Sequence, residues 1–148
     1  LWRGAQPTAV GFRNLEKQGA RTVISFRHDH DDFKLLKGTG LKYLRFPSFS
    51  FIPAEENIAK FLRVVQDKAN WPVFIHCAQG RDRTGYNVAA YRIMVHGWTP
   101  EQAIEEMHAF QFNKVWVFNP AFVKSLKADD LKARVDKEPQ PVFMAWVK

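Results

Sequence analysis

The chain has 148 residues, of which 46% are hydrophobic and 14% aromatic, so it can bury a core and is not intrinsically disordered. Its only cysteine, Cys77, excludes an internal disulfide framework, and no apolar run reaches the roughly 18 residues of a membrane-spanning helix. The net charge of +7 suits an anionic partner, although scattered lysines that serve solubility would give the same value. We expect one domain over residues 1–148, acting as a monomer.

The first half of the chain alternates between predicted helices and strands. Residues 8–18 form a short helix capped by Thr8, and residues 22–26 form a buried strand. Residues 41–46 form a second strand, and the amphipathic segment 54–69 forms a helix with apolar residues at helical spacing. This order of elements is typical of a parallel sheet flanked by helices.

The second half continues the alternation. The apolar segment 73–75 forms a short strand, and residues 83–96 form a helix. Thr99 starts another helix, because proline follows it directly and glutamine stands three positions later. A last helix runs from 119 to 131, and the apolar tail 138–147 packs back on the domain. Phe118, just before the last helix, is expected in the core.

Together these elements predict an α/β fold with a central, mainly parallel sheet of four to five strands and helices on both faces. In such a sheet, ligands bind outside the carboxyl ends of the strands. The strand 73–75 therefore delivers Cys77 to the edge where chemistry is expected.

The segment from His76 to Gly85 reads His-Cys-Ala-Gln-Gly-Arg-Asp-Arg-Thr-Gly and joins this strand to the next helix. A tight loop that enters a helix N-terminus offers unpaired amides and the positive end of a dipole to an anion. The same field favours the thiolate form of Cys77, which is the nucleophilic form. Arg83 offers a planar fork for two phosphate oxygens, and Thr84 can donate its hydroxyl to the Cys77 sulfur. The segment therefore predicts phosphate transfer with a cysteine nucleophile.

This segment, residues 76–85, resembles the Cys-x5-Arg signature loop of the protein tyrosine phosphatase superfamily, in its compact dual-specificity branch. Residues 2–8, Trp-Arg-Gly-Ala-Gln-Pro-Thr, resemble the opening of small bacterial members. Residues 53–62 are similar to a segment of the inositol polyphosphatases (phytases) of the superfamily, and the resemblance extends to about Phe110. It implies a protein tyrosine phosphatase-like fold and a phosphomonoesterase that acts through a Cys77 phosphoenzyme.

The resemblance and the basic charge favour a polyanionic substrate such as an inositol polyphosphate or a phosphoinositide. Within the same class, the alternative is a phosphotyrosine or dual-specificity protein phosphatase. From another class, the alternative is a phosphate-binding module with little turnover. A nucleic-acid substrate is not expected, because basic and aromatic residues do not interleave in a stripe.

Four residues are assigned to catalysis: Cys77, Arg83, Asp82 and Thr84. The rest of the signature loop, together with two residues that follow the strand 22–26 and could rim the pocket, is assigned to substrate binding: His76, Ala78, Gln79, Gly80, Arg81, Gly85, Arg27 and His28. We expect His76 to fix the loop through hydrogen bonds rather than to act as a base.

The acid that protonates the leaving group is left open by the sequence. Family members commonly carry an Asp on the loop before the helix that precedes the signature strand, but residues 46–53 contain no carboxylate. Asp82 is the first choice, because it resembles the loop Asp of bacterial lipid-and-tyrosine phosphatases. Glu55 and Glu56 are alternatives, and a substrate with a good leaving group needs little acid.

No metal or cofactor is expected. Residues 27–32 read Arg-His-Asp-His-Asp-Asp and hold possible ligands, but they lack a recurring ligand spacing, and the superfamily reaction uses no metal. The expected partners are a small phosphorylated molecule or a phosphoprotein, without a membrane span. Because Leu1 stands where a Met would start a natural chain, localisation stays open between a soluble cytoplasmic protein and one exported after removal of an N-terminal segment.

Overall fold

A computed structural model of the chain describes residues 1–144. Its centre is a sheet of four short strands: β1 (Trp2–Gly4), β2 (Thr22–Ser25), β3 (Lys42–Arg45) and β4 (Val73–His76). The strands lie in the order β1-β4-β2-β3, and all three neighbouring pairs are parallel. The predicted α/β fold with a parallel sheet is therefore confirmed.

Strands β2 and β4 are buried along their whole length, as expected for parallel strands that are covered on both faces. Strand β4 lies between β1 and β2, so the segment that follows it emerges at the middle of the sheet. The three half-buried residues of β1 form an edge strand that was not predicted, because so short a stretch shows no periodicity.

Seven helices accompany the sheet within residues 1–144: α1 (Ala9–Lys17), α2 (Phe33–Leu36), α3 (Glu55–Gln66), α4 (Asp82–His96), α5 (Pro100–Ala109), α6 (Phe118–Ser125) and α7 (Ala128–Lys137). Thr8 caps α1 by accepting a hydrogen bond from Gly11 N at 3.0 Å. Thr99 and Gln102 form the predicted reciprocal capping box at the start of α5.

The core is divided between the two faces of the sheet, because successive side chains of a strand point to opposite sides. On one face, Val23 and Tyr43 pack with α1 and α2. On the other face, Ile24 and Ile75 pack with buried residues of the helices α3 to α7: Phe61, Tyr86, Met107, Val123 and Leu131.

The predicted helix 119–131 is wrong in one respect, because two helices replace it. Helix α6 ends at Ser125, whose hydroxyl donates to Phe122 O, and the next two residues have extended backbone. Helix α7 then begins with acidic residues in its first turn, where the helix dipole favours them. In the predicted tail, Met144 N donates to Tyr43 O beside β3, and residues 145–148 lie outside the described residues.

Candidate active site

Cys77 follows β4 directly and is almost fully buried at the carboxyl end of the sheet. The loop 78–81 connects it to the N-terminus of α4. No side chain caps this end of α4, so the amides of its first turn remain available. The segment therefore combines a buried thiol with an uncapped helix N-terminus, which is a favourable place for an anion.

Three carbonyl oxygens of the segment accept hydrogen bonds from groups behind it: Cys77 O from His76 Nδ1 (3.1 Å), Ala78 O from Gln6 N (3.1 Å) and Gly80 O from Arg3 Nη2 (2.9 Å). The N–H of a trans peptide unit points opposite to its C=O. These contacts therefore turn the amides of residues 78, 79 and 81 away from the three donor groups, and within residues 1–144 those amides donate to no protein acceptor. Such a group of free amides suits a phosphate.

Gly80 is required by the path of this loop. Its φ of +71° lies in the left-handed region, which is costly for other residues. A Cβ at this position would also lie 2.5 Å from Gly4 O, the end of β1. The loop therefore sits directly against β1, and only glycine permits that approach.

The predicted nucleophile and its neighbours meet in the structure. Thr84 Oγ1 donates to Cys77 Sγ at 3.2 Å. The guanidinium of Arg83 is buried; its Nη1 lies 3.3 Å from His28 Nδ1 and 3.5 Å from Ser48 O, while its Nε has no hydrogen-bond partner within the described residues. Arg83 thus keeps donor capacity for a bound anion.

The His76 ring contacts a carboxylate that the sequence did not assign to the site. Its Nε2 lies 2.7 Å from Asp32 Oδ2, and both side chains are fully buried. Gln6 Nε2 donates to Asp32 Oδ1 at 2.8 Å, and Gln6 Oε1 accepts from Arg27 Nη1 at 3.1 Å. Through its two ring nitrogens, His76 thus links the Asp32 carboxylate to the Cys77 carbonyl oxygen.

Sequence reasoning missed Arg3, Gln6 and Asp32 as supports of the loop. Arg3 and Gln6 are part of the opening that carried the family resemblance, which was the available signal. The sequence pattern suggests Asp32 only as a possible metal ligand. Burial, followed by the charge of Asp32, raises the pKa of the neighbouring Tyr43 phenol, whose oxygen accepts from Asp32 N at 3.2 Å.

Asp82 stands at the first position of α4, but its carboxylate is engaged on the side of the α5–α6 loop. Oδ1 accepts from Asn113 N at 2.9 Å, and Oδ2 accepts from Trp116 Nε1 at 3.0 Å. The alternatives Glu55 and Glu56 are exposed in the first turn of α3. Glu55 Oε2 lies 3.9 Å from Arg134 Nη1, and Glu56 Oε1 lies 3.0 Å from Lys60 Nζ.

The acid-free loop 46–53 is held by side chains from three helices. Its carbonyl oxygens accept from Asn57 Nδ2 of α3 (2.6 Å), Tyr86 Oη of α4 (3.1 Å) and Asn119 Nδ2 of α6 (2.7 Å). Burial raises the pKa of Tyr86 to about 12, which keeps its hydroxyl protonated above the usual phenol range. Three side-chain hydrogen bonds thus hold the loop along its length.

The other predicted substrate-binding residues occupy different surroundings. Gln79 and Arg81 are exposed on the loop, and Ala78 is half-buried. Gly85 does not fit its predicted role, because its amide donates to Arg81 O at 3.0 Å within the first turn of α4. His28 is exposed beside Arg83, with its ring 4.5 Å from that of Phe49.

Arg27 does not lie free at the rim. Its Nε is 3.3 Å from Asp29 Oδ1, and this hydrogen bond lowers the pKa of the Asp29 carboxyl. Its Nη1 is taken by Gln6. In the part of the chain that the structure describes, no three His, Cys, Asp or Glu side chains are grouped so as to hold a metal ion.

A parallel strand followed directly by a buried cysteine, a loop whose amides have no acceptor within residues 1–144 and an arginine at the start of the next helix form a Cys-x5-Arg loop of the kind that suits a phosphate. Residues 1–125 match the family described as "DSP-PTPase phosphatase fused to NAD+ Kinase". The chain belongs to this family of the protein tyrosine phosphatase superfamily.

Three curated relatives are similar over much of the chain. The dual specificity protein phosphatase TpbA of Pseudomonas aeruginosa is 35% identical over 108 residues, 72% of this chain and 49% of TpbA. The inositol diphosphatase SIW14 of Saccharomyces cerevisiae is 24% identical over 147 residues, 93% of this chain and 52% of SIW14. The human phosphatidylglycerophosphatase and protein-tyrosine phosphatase 1 is 30% identical over 112 residues, 68% of this chain and 56% of that protein.

The chain thus spans about half the length of these relatives. The crystal structure of TpbA superimposes with a TM-score of 0.77 at 29% identity, covering 90% of this chain and 84% of the TpbA chain. No helix within residues 1–144 has both the length and the apolar character needed to cross a membrane.

Proposed function

We propose that residues 1–148 form a cysteine-dependent phosphomonoesterase domain that acts as a monomer. Cys77 Sγ attacks phosphorus, a phosphocysteine forms and the ester oxygen leaves. Water then attacks the phosphocysteine, inorganic phosphate departs and the thiolate returns. The observation that carries the proposal is the Thr84–Cys77 hydrogen bond inside a loop whose carbonyls are bonded from behind.

The loop supplies the electrostatic part of this reaction. The free amides and the Arg83 guanidinium bind the non-bridging oxygens and stabilise the charge that they carry during transfer. Thr84 Oγ1, 3.2 Å from Cys77 Sγ, stabilises the sulfur as a leaving group in the hydrolysis step. His76 and Asp32 hold the Cys77 carbonyl from below, so the loop is already shaped before substrate arrives.

Asp82 is our proposed proton donor. Its carboxylate faces Asn113 and Trp116, so turning it toward a leaving oxygen would break those two hydrogen bonds. Proton transfer is thereby linked to a change in the contact between Asp82 and the loop 113–116. A substrate whose leaving group is already acidic bypasses this step.

The proposed substrate is a polyanion, either an inositol phosphate or a phosphoinositide. The exposed Arg81 beside the loop and the net charge of +7 support it, and SIW14 is named an inositol diphosphatase. One observation favours a second candidate, a phosphotyrosine phosphatase: the rings of His28 and Phe49 stand beside Arg83, where an aromatic phosphoester could stack. TpbA is named a dual specificity protein phosphatase.

The test is phosphate release from four substrates: inositol hexakisphosphate, a short-chain phosphoinositide, a phosphotyrosine peptide and a phosphoserine peptide. Cys77→Ser is expected to abolish release from every substrate and still to bind inorganic phosphate, because the amides and Arg83 remain. Release by Cys77→Ser near the wild-type rate would overturn the mechanism.

The substrate pattern decides between the candidates. Turnover of the inositol compounds alone supports the polyanion assignment, and turnover of the phosphotyrosine peptide alone replaces it with the second candidate. Binding of phosphate by the wild-type chain without any turnover would instead make the domain a phosphate-binding module, in keeping with the acid-free loop 46–53.

A further inference from the structure

An exposed apolar patch lies next to the phosphate-binding loop. It contains six large side chains that are between 44% and 73% exposed: Phe49, Phe51, Ile52, Val115, Val117 and Phe118. They are six of the thirteen exposed large apolar residues in the described part of the chain, and they come from only two short segments. We call this set the mouth patch. Exposed apolar surface at such density is typical of an interaction site.

The two segments of the mouth patch lie side by side. The rings of Phe51 and Trp116 are 6.4 Å apart, and Asn119 Nδ2 donates to Ser50 O at 2.7 Å. The six residues therefore belong to one surface, formed by the loop 46–53 and the segment 115–118, which ends at the first residue of α6.

The mouth patch borders the anion site. The Phe49 ring contacts the His28 ring at 4.5 Å, and His28 Nδ1 lies 3.3 Å from Arg83 Nη1. A phosphate held by Arg83 would thus have the apolar patch on one side. A molecule that carries a phosphate and an apolar part could engage both at once, whereas a free inositol phosphate has no apolar part to place there.

Basic residues predominate in the segments of the mouth patch. These segments belong to two stretches, 33–54 and 107–128, that contain no aspartate or glutamate and seven basic residues: Lys34, Lys37, Lys42, Arg45, Lys114, Lys124 and Lys127. Arg45 lies beside the patch, because its Nη2 donates to His28 O at 2.7 Å, and Lys114 directly precedes Val115 in the chain. One carboxylate, that of Asp82, contacts the segment 115–118 of the patch by accepting from Trp116 Nε1 at 3.0 Å. Apolar and aromatic residues flanked by lysines are the composition of surfaces that bind anionic lipid interfaces.

We propose that the mouth patch docks on an anionic phospholipid bilayer and brings the phosphate-binding loop to the headgroup layer. Phe51, Ile52 and Phe118 enter the boundary between headgroups and acyl chains, while the lysines contact lipid phosphates and carboxylates. As far as it concerns substrate, this inference rests on the proposed phosphatase activity, and it selects a lipid-borne phosphomonoester over a free inositol phosphate.

The test measures co-sedimentation of the protein with vesicles of phosphatidylcholine alone and of phosphatidylcholine mixed with phosphatidylserine. The wild-type chain is expected to bind only the mixed vesicles, and added salt should weaken the binding. Ile52→Ser/Phe118→Ser should lower the partition coefficient by roughly tenfold, because two apolar side chains no longer leave water. Lys114→Glu should lower it as well.

The matched control is Val10→Ser/Val95→Ser, which removes two exposed apolar side chains outside the mouth patch and should bind like the wild type. Equal binding by the wild type and Ile52→Ser/Phe118→Ser, or no binding of the wild type to the mixed vesicles, would overturn the proposal. So would a concentration-dependent dimer that Ile52→Ser/Phe118→Ser abolishes, because a second copy would then cover the patch.

Neither vesicle lipid is a phosphomonoester, so binding is read independently of turnover. A chain that binds the mixed vesicles but releases no phosphate from any substrate would refute the phosphatase and leave the docking surface standing. A chain that releases phosphate but does not bind the mixed vesicles would support the phosphatase and refute the docking surface.

Discussion

Cys77 depends on a small number of neighbours for the chemistry proposed here. Thr84 donates to its sulfur, and Arg83 lies one residue before Thr84 with an Nε that has no hydrogen-bond partner among residues 1–144. The carbonyl oxygen of Cys77 is held by His76 Nδ1, and the His76 ring is in turn held by the buried Asp32 carboxylate. A thiol placed among donors in this way is the arrangement that activates cysteine nucleophiles.

Asp82→Asn tests the proposed proton donor. The variant should lose about 100-fold in kcat on an alkyl phosphate and much less on an aryl phosphate, whose leaving group needs no proton. Trp116→Phe is the matched control, because it removes one hydrogen bond to Asp82 while an aromatic ring remains at position 116 and the carboxyl is unchanged. Kinetics on both substrates provide the readout. Equal losses for Asp82→Asn would make this residue an anchor of the loop 113–116 instead.

Among the elements, the loop 78–81 owes its shape to β1 and to the start of α4. Strand β1 reaches it through Arg3 and through the close approach of Gly4 to Gly80. The facing loop 46–53 is fastened by α3, α4 and α6. The site is therefore assembled from elements that are distant in the chain, and contacts between those elements hold its two loops.

Gly80→Ala tests the contribution of this loop. The positive φ should cost about 1 kcal/mol of unfolding free energy, and the clash with Gly4 O should displace the loop and remove most of kcat/KM. Gly97→Ala is the matched control, since Gly97 has φ +67° and no atom within 4 Å of a Cβ. It should lose similar stability and keep its activity. Normal kcat/KM in Gly80→Ala would contradict the proposed role of the loop.

At the scale of the whole molecule, the buried phenols link stability to high pH. Burial raises the pKa of Tyr86 from 10.0 to about 12, and it also raises the pKa of Tyr43. A group whose pKa is higher in the folded state stabilises the fold below its unfolded pKa. That contribution is lost as pH rises through the folded pKa.

The free energy of unfolding in urea should therefore fall as pH rises from 10 toward 12, the interval between the unfolded and folded pKa values of Tyr86. Tyr86→Phe should reduce this decline, because phenylalanine has no proton to lose, although the variant also loses the hydrogen bond to Phe49 O. An identical decline in the variant would show that Tyr86 does not contribute to it.

Much of the fold and part of the site could be predicted because their signals are local. Strands β2, β3 and β4, the capped starts of α1 and α5, and the parallel α/β class follow from periodicity and capping residues that lie close together in the chain. Cys77, Arg83 and Thr84 fall within eight consecutive positions. Their chemical types and their spacing are therefore enough to indicate a phosphate-binding loop.

The remaining features depend on tertiary structure. Strand order β1-β4-β2-β3 brings Arg3, Gln6 and Asp32 to β4, and no pattern along the chain encodes that order. Likewise, no pattern along the chain predicts the hydrogen bonds that the loop 113–116 donates to the Asp82 carboxylate. Phe118, which the sequence predicts in the core, is 73% exposed, because an apolar residue type does not specify what covers it. The sequence by itself thus determined which residues we propose as reacting groups, and packing decided which residues support them and which surface remains open.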